Sequence, residues 1–280
     1  MIIFLDVDGT YADYGVVPEA HVTAVAEARA RGHRVLLCTG RPACMLSGFL
    51  AEADFDGIVA GAGAYVEVGG RVLRDERFPP DLADRAVDIL DAHKVAYILE
   101  SPETLHGPPD IAARRAAVFE KLRSAAGGRR SIPTSLFTIE TGPRRRGAQF
   151  SKITVFDSSV PVGKLGELIG PEVATLPSSL PNLGSSAGEI FLADVHKALG
   201  AQLAALEFGA EARDVMAVGD GLNDLEVLEW AGIGVAIEGA DPALLAVADR
   251  TAPGPERAGL ARLFGDMGLI TDPTVLFGSL

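Results

Sequence analysis

Two aspartates separated by one valine close the first apolar run of the chain, Asp6 and Asp8 in the heptad FLDVDGT. Side chains at i and i+2 of an extended segment point to the same side, so both carboxylates can address one substrate. One carboxylate can attack phosphorus and form an acyl-phosphate. The other can protonate the leaving oxygen and later take a proton from water. Alone, such a pair reads as two turn residues. Two further polar clusters change that reading: TGRP (Thr39 to Pro42) and GDGLND (Gly219 to Asp224), each closing an apolar run. Asp220 and Asp224, with Asp6, form a hard-oxygen set suited to Mg²⁺, which would neutralise charge and align the reactants. Thr39 and the backbone N–H of Gly40 stand just before a segment read as a helix N-terminus, a natural seat for phosphate oxygens. Lys197, shortly after the apolar Ile190–Leu192, is the candidate cation for the developing charge. Asn223 is read as capping the next helix while also binding phosphoryl oxygens. Arg41 stands where it could reach a substrate or close a surface salt bridge.

Positioning these groups requires strands whose ends meet. Ile2–Leu5, Val35–Cys38, Gly57–Ala60, Val215–Val218 and Gly234–Ile237 are short and almost continuously apolar, as strands covered on both faces are. Helical patterns lie between them: His21–Arg31, closed by Gly32; Pro42 to about Ala53; and His196–Phe208, with Leu199, Leu203 and Leu206 on one face. This alternation predicts an α/β fold with a Rossmann-like, doubly wound parallel sheet, in which ligands bind beyond the carboxyl ends of the strands.

The middle of the chain differs in texture, being rich in proline and polar loops. Leu82–Ala92 reads as an amphipathic helix with Asp81 as its N-cap, and Ile111–Ala125 as a second helix closed by Gly127-Gly128. Phe137–Thr141 and Phe150–Phe156 read as strands, with a hairpin around GPRRRG as one arrangement. The expected organisation is a core over residues 1–77 and 188–280, with a second α/β domain inserted at 78–187.

Composition limits the functional classes. Of 280 residues, 48% are hydrophobic and 22% charged, as in a globular protein. A net charge of −13 argues against nucleic acid as a partner, whose affinity would come largely from Lys and Arg. Cys38 and Cys44 do not form a Cys-x-x-Cys pair. The start MIIFLD lacks a basic flank, and no run approaches the roughly 18 apolar residues of a membrane span. The expectation is a cytoplasmic protein with no membrane partner, as a monomer or homodimer. Three lookalikes fail. GSSAG matches the G-x-S-x-G elbow but lacks the strand before it and the helix after it. DVDGT and GDGLND lack the helix and the twelfth-position Glu of a calcium loop. GAGAYV lacks the last glycine of a dinucleotide fingerprint. The run Arg144-Arg145-Arg146 reads as a solvated loop.

With DVDGT, TGRP, the lysine after Ile190–Leu192, and GDGLND in place, the chain resembles the haloacid dehalogenase superfamily, and within it the Cof-type phosphatases with a large α/β cap. The resemblance covers residues 1–75 and 188–265. It implies Asp6 as nucleophile and Asp8 as acid/base. Mg²⁺ would be held by Asp6, the Asp8 carbonyl and Asp220, with Asp224 in or beside that shell. The implied substrates are small phosphorylated metabolites such as sugar phosphates, with the inserted domain as lid. Three positions depart from the family pattern: Tyr11 after DGT, Ala62-Gly63-Ala64 in place of Asn-Gly-Ala, and His196-Lys197-Ala198 in place of Ser-Lys-Gly. A phosphomutase shares the chemistry and differs in its product. A phosphometabolite-binding protein without turnover is the alternative outside catalysis.

Overall fold

The computed structural model describes residues 1–13, 15–125, 139–141, 147–178 and 183–271. Their contacts divide the chain into two compact units, one comprising Met1–Arg41, Leu46–Arg74 and His196–Leu280, the other Pro42–Met45 and Asp75–Val195.

In the first unit the chain runs β1 (Ile2–Leu5), α1 (Glu19–Ala30), β2 (Arg34–Cys38), α2 (Ser47–Glu52), β3 (Gly57–Ala60), β4 (Tyr65–Val68) and β5 (Arg71–Asp75). The second unit supplies α3 (Pro80–Ala92), β6 (Ala96–Glu100), β7 (Leu105–Gly107), α4 (Ile111–Ala125), β8 (Ile139–Thr141), β9 (Lys152–Asp157), α5 (Val162–Ile169), β10 (Val173–Pro177) and β11 (Gly188–Leu192). The chain returns to the first unit with α6 (Lys197–Glu207), β12 (Val215–Gly219), α7 (Leu225–Trp230), β13 (Ile233–Ile237), α8 (Pro242–Val247), β14 (Arg250–Ala252) and α9 (Gly259–Asp266).

The first sheet has the order β14-β13-β12-β1-β2-β3-β4-β5. From β14 to β3 every pairing is parallel, and β3 meets β4 antiparallel. All five strands read from apolar runs are present, and the fold is α/β as their alternation with helices requires. Alternate residues serve opposite faces. Ile2 and Phe4 join a core with Ala198, Ala201, Val227 and Leu228, whereas Ile3 and Leu5, equally buried, point the other way.

The second sheet has the order β10-β11-β9-β6-β7-β8. Its pairings are antiparallel except that of β7 with β8. Helices α3 and α5 cover one face through Leu82, Val87, Leu90, Leu165 and Ile169, packed on Tyr97, Leu99, Ile153, Val155 and Ile190.

Several expectations are corrected here. The helix from Pro42 to Ala53 is interrupted: a 3-10 turn at Ala43–Met45 belongs to the second unit and α2 begins only at Ser47. In α6 the alanines face the core and Leu206 is exposed. The helix lies too close to the sheet for leucine, since a Cβ on Gly200 would meet Val59 Cγ1 at 2.5 Å. Asp81 is not an N-cap; α3 starts at Pro80 with Pro79 before it and no side-chain cap. β8 and β9 form no hairpin, because β6 and β7 lie between them. The turn of that hairpin, with Arg144, Arg145 and Arg146, and the pair Gly127-Gly128 lie outside the described residues. The Ile190–Leu192 run, expected in the core, pairs in the second sheet, so the second unit extends to Val195 rather than ending at Ala187.

Candidate active site

Strand β1 stops at Leu5, and the chain turns at once. Tyr11 N–H donates to the Asp6 carbonyl at 3.1 Å and Ala12 N–H to the Val7 carbonyl at 2.8 Å, closing a tight loop that carries both aspartates. Asp6 remains tied to the sheet, its N–H donating to the Val218 carbonyl of β12 at 2.9 Å. Gly9 has φ +85°, and a Cβ there would overlap Asp220, so the loop can lie this close to the end of β12 only with glycine.

Because β12, β1, β2 and β3 are parallel, Asp220, Asp6, Thr39 and the Gly61–Gly63 turn all leave the same edge of the sheet. The β3 turn seats the lysine helix: Gly63 has φ +102°, and a Cβ on it would overlap the backbone of His196. Lys197 thus enters α6 fully buried, with its ammonium group at the strand ends. Its Nζ donates to Asp6 Oδ1 at 2.6 Å and to Asp224 Oδ1 at 2.5 Å. The other oxygen of Asp224 accepts the backbone N–H groups of Asp220 and Gly221 at 3.2 and 3.1 Å. Asp224 therefore organises both the lysine and the GDG turn.

One carboxylate oxygen each from Asp6, Asp220 and Asp224 lie within 4.8 Å of one another. Burial lifts the Asp6 carboxyl well above its usual range; Lys197 opposes this lift, and Asp224 and Asp220 add to it. Burial and the Asp224 charge push Asp220 up to about 7, with Lys197 again opposing. Burial would lower the Lys197 ammonium, but Asp224 and Asp6 outweigh it and the net direction is upward. Three crowded carboxylates facing one ammonium form a set that a hard divalent cation would relieve, and the all-oxygen donors fit Mg²⁺. Asp6, Asp220 and Asp224 are the residues that could hold it.

Asp8 lies outside this carboxylate cluster. Its side chain is half exposed, and both of its oxygens accept from Arg41, at 2.6 Å each. Thr39 is buried, and its hydroxyl accepts the Arg41 N–H at 3.1 Å. Gly40 follows it, partly buried. Asn223 sits on the 3-10 turn Leu222–Asp224; it does not cap α7, which Asp224 precedes. Ala62, at the position where the family pattern has Asn, adopts φ +57°, a left-handed conformation in which Asn is more at ease than Ala.

Two features of the site were not legible as such. The Arg41–Asp8 pairing joins residues 33 apart and carries no local signal beyond the nearness of Arg41 to Thr39. His21 is buried, its Nδ1–H donating to the Tyr11 carbonyl at 2.9 Å and its Nε2 accepting the Leu260 N–H at 3.1 Å. It braces the catalytic-loop candidate against α9, yet in sequence it is one polar residue in an Ala-rich helix.

A profile of haloacid dehalogenase-like hydrolases matches residues 3–264. YkrA of Bacillus subtilis (strain 168), a phosphatase by provisional name, is 25% identical over 283 residues, 96% of this chain and 98% of that one. YitU of the same organism, a 5-amino-6-(5-phospho-D-ribitylamino)uracil phosphatase, is 25% identical over 292 residues, 93% and 95% of the two chains. A solved sugar phosphatase of haloacid dehalogenase subclass IIB superimposes with a TM-score of 0.77 at 20% identity, covering 96% and 99% of the two chains. At that identity the likeness speaks for the fold alone. The profile match spans nearly the whole chain, and the chain belongs to the haloacid dehalogenase-like hydrolase family.

Proposed function

We propose that the protein hydrolyses a small phosphorylated metabolite in two steps through an aspartyl-phosphate on Asp6, with Mg²⁺ as cofactor. The observation that carries this reading is the set of buried Asp6, Asp224 and Lys197 with the partly buried Asp220 at the carboxyl ends of adjacent parallel strands. Bound there, Mg²⁺ would neutralise phosphoryl charge and align it with the nucleophile. An Asp6 oxygen attacks phosphorus as the ester oxygen departs. Asp8 gives that oxygen a proton, then takes one from the water that releases phosphate. The Lys197 ammonium, fixed by Asp224, faces the charge that develops on the phosphoryl oxygens. Thr39, the Gly40 N–H and Asn223 hold those oxygens.

Residues 75–195 act in this reading as a cap that selects the leaving group. The name of one relative, a 5-amino-6-(5-phospho-D-ribitylamino)uracil phosphatase, supports a polyhydroxylated alcohol, with a sugar phosphate as the leading substrate class. The expected partner is that substrate, and the expected compartment the cytoplasm. Among the described residues no helix is long and apolar enough to cross a membrane.

Phosphate release from a panel of sugar and alditol phosphates and from p-nitrophenyl phosphate, with Mg²⁺ or with EDTA, tests the proposal. Release that requires Mg²⁺ and disappears in Asp6→Asn is the expected result. Conversion of a sugar phosphate to its isomer without free phosphate would replace hydrolase by mutase. Binding without any turnover would overturn both.

A further inference from the structure

Arg41 is held more firmly than a surface arginine needs to be. Its Nε and Nη2 form a two-pronged fork on Asp8 Oδ2 and Oδ1, both at 2.6 Å. Its guanidinium carbon lies 5.1 Å from the centroid of the Phe49 ring on α2. Its backbone N–H donates to Thr39 Oγ1 at 3.1 Å, and its carbonyl accepts from Gly61 N–H at 2.8 Å. The backbone is thereby fixed to the loops that follow β2 and β3, and the side chain reaches across to the loop that follows β1. The Asp8 side chain is 51% exposed, so burial does not orient it, whereas the Arg41 side chain is 20% exposed.

An isolated exposed ion pair contributes little, but a bidentate Arg–carboxylate fork sets the plane of the carboxylate as well as its place. Arg41 uses two of the roughly four lone-pair sites of the carboxylate, which leaves sites for a proton to arrive and depart. The proposed acid/base is thus aimed by a residue on the proposed phosphate-binding loop.

We infer that Arg41 is a positioning residue for Asp8, one that fixes the direction from which the leaving oxygen is protonated. The inference rests on the phosphatase reading above. Its signature is dependence on the leaving group. An alkyl alkoxide needs its proton in the transition state, whereas p-nitrophenolate departs readily without one. A residue that acts only through Asp8 lowers kcat/KM for the ester that needs the proton and does not raise KM.

Arg41→Lys and Arg41→Gln test this, measured with Mg²⁺ on p-nitrophenyl phosphate and on the best alkyl phosphate of the panel, with Asp8→Asn in parallel and thermal unfolding as the control for folding. Lysine keeps the charge but not the fork. Both variants are expected to lose on the order of 10- to 100-fold in kcat/KM, which reports phosphoryl transfer to Asp6, on the alkyl phosphate, part of the general-acid effect, and far less on the aryl phosphate. KM should not rise. A raised KM on both substrates would make Arg41 a phosphate ligand and overturn the inference. So would an equal loss of kcat/KM on both substrates, or no change on either. Wild-type protein inactive on every ester would instead sink the phosphatase reading itself.

Discussion

Lys197 and Lys152 are both buried ammonium groups held between two carboxylates. In the first unit Lys197 lies 2.6 Å from Asp6 and 2.5 Å from Asp224. In the second, Lys152 lies 2.7 Å from Glu189 and 3.3 Å from Glu100. Both lysines have raised pKa values, burial being outweighed by the neighbouring carboxylates, and in both places burial lifts a flanking carboxyl. Their surroundings differ. The Lys152 triad is laid across a sheet: Glu100 pairs with Lys152 between β6 and β9, Glu189 sits on β11, and Thr154 donates to Glu100 at 2.5 Å. The Lys197 cluster lies beyond the strand ends, with its carboxylates on loops and turns, and includes a third carboxylate, Asp220. A buried lysine between carboxylates is therefore not by itself the mark of a reactive centre. Surplus negative charge at converging strand ends is what separates the two.

The sharpest way to break that comparison is to remove each lysine. Lys197→Met should cost on the order of 10²- to 10³-fold in kcat on p-nitrophenyl phosphate, as loss of one charge-stabilising donor does. Lys152→Met should leave kcat of the folded protein near the wild-type value and lower stability by roughly 3–5 kcal/mol, because the buried Glu100 and the partly buried Glu189 lose their partner. Denaturant unfolding and phosphate release together separate the two outcomes. Loss of turnover in a folded Lys152→Met protein would erase the distinction.

The second way is to add the cation. Mg²⁺ should raise the unfolding midpoint, by about 2.7 kcal/mol of stability at a hundredfold excess over its dissociation constant. Asp220→Asn should weaken that response strongly, and Glu189→Gln should leave it intact. A response that follows Glu189 would place the metal in the wrong unit.

The smallest effect concerns His21, a buried imidazole held neutral. Burial lowers its pKa, with the Tyr11 carbonyl opposing. The folded state thus binds a proton less readily than the unfolded chain. Its contribution to stability is present above the unfolded pKa of about 6.5 and is lost as pH falls through it. Unfolding midpoints measured from pH 7.5 down to about pH 5 should show this decline. His21→Gln should flatten that part of the profile.

The parallel strands were readable because a strand covered on both faces leaves an uninterrupted apolar run, as in Ile2–Leu5 and Val215–Gly219. What such a run does not carry is the identity of its neighbours. Ile190–Leu192 looks like the others, yet it pairs antiparallel with β9 and β10. The leucines of α6 misled for a related reason: closeness to the sheet favoured Gly200 and the alanines, and left Leu206 outside. In the site, Asp6, Thr39, Asp220 and Asp224 announce themselves by ending apolar runs. The fork between Arg41 and Asp8, and the Glu100–Lys152–Glu189 triad, depend on contacts between distant segments and on strand register, which no local pattern specifies.

The central claim is that Asp6 carries the phosphoryl group during turnover. Acid quenching in the steady state with Mg²⁺ and p-nitrophenyl phosphate, followed by borohydride reduction and peptide mapping, tests it directly. An acyl-phosphate on Asp6 would be reduced there to homoserine, and the account predicts that modification at residue 6 in turning-over enzyme and none without substrate. An actively turning-over enzyme whose trapped label lies on another carboxylate, such as Asp8 or Asp220, would contradict it.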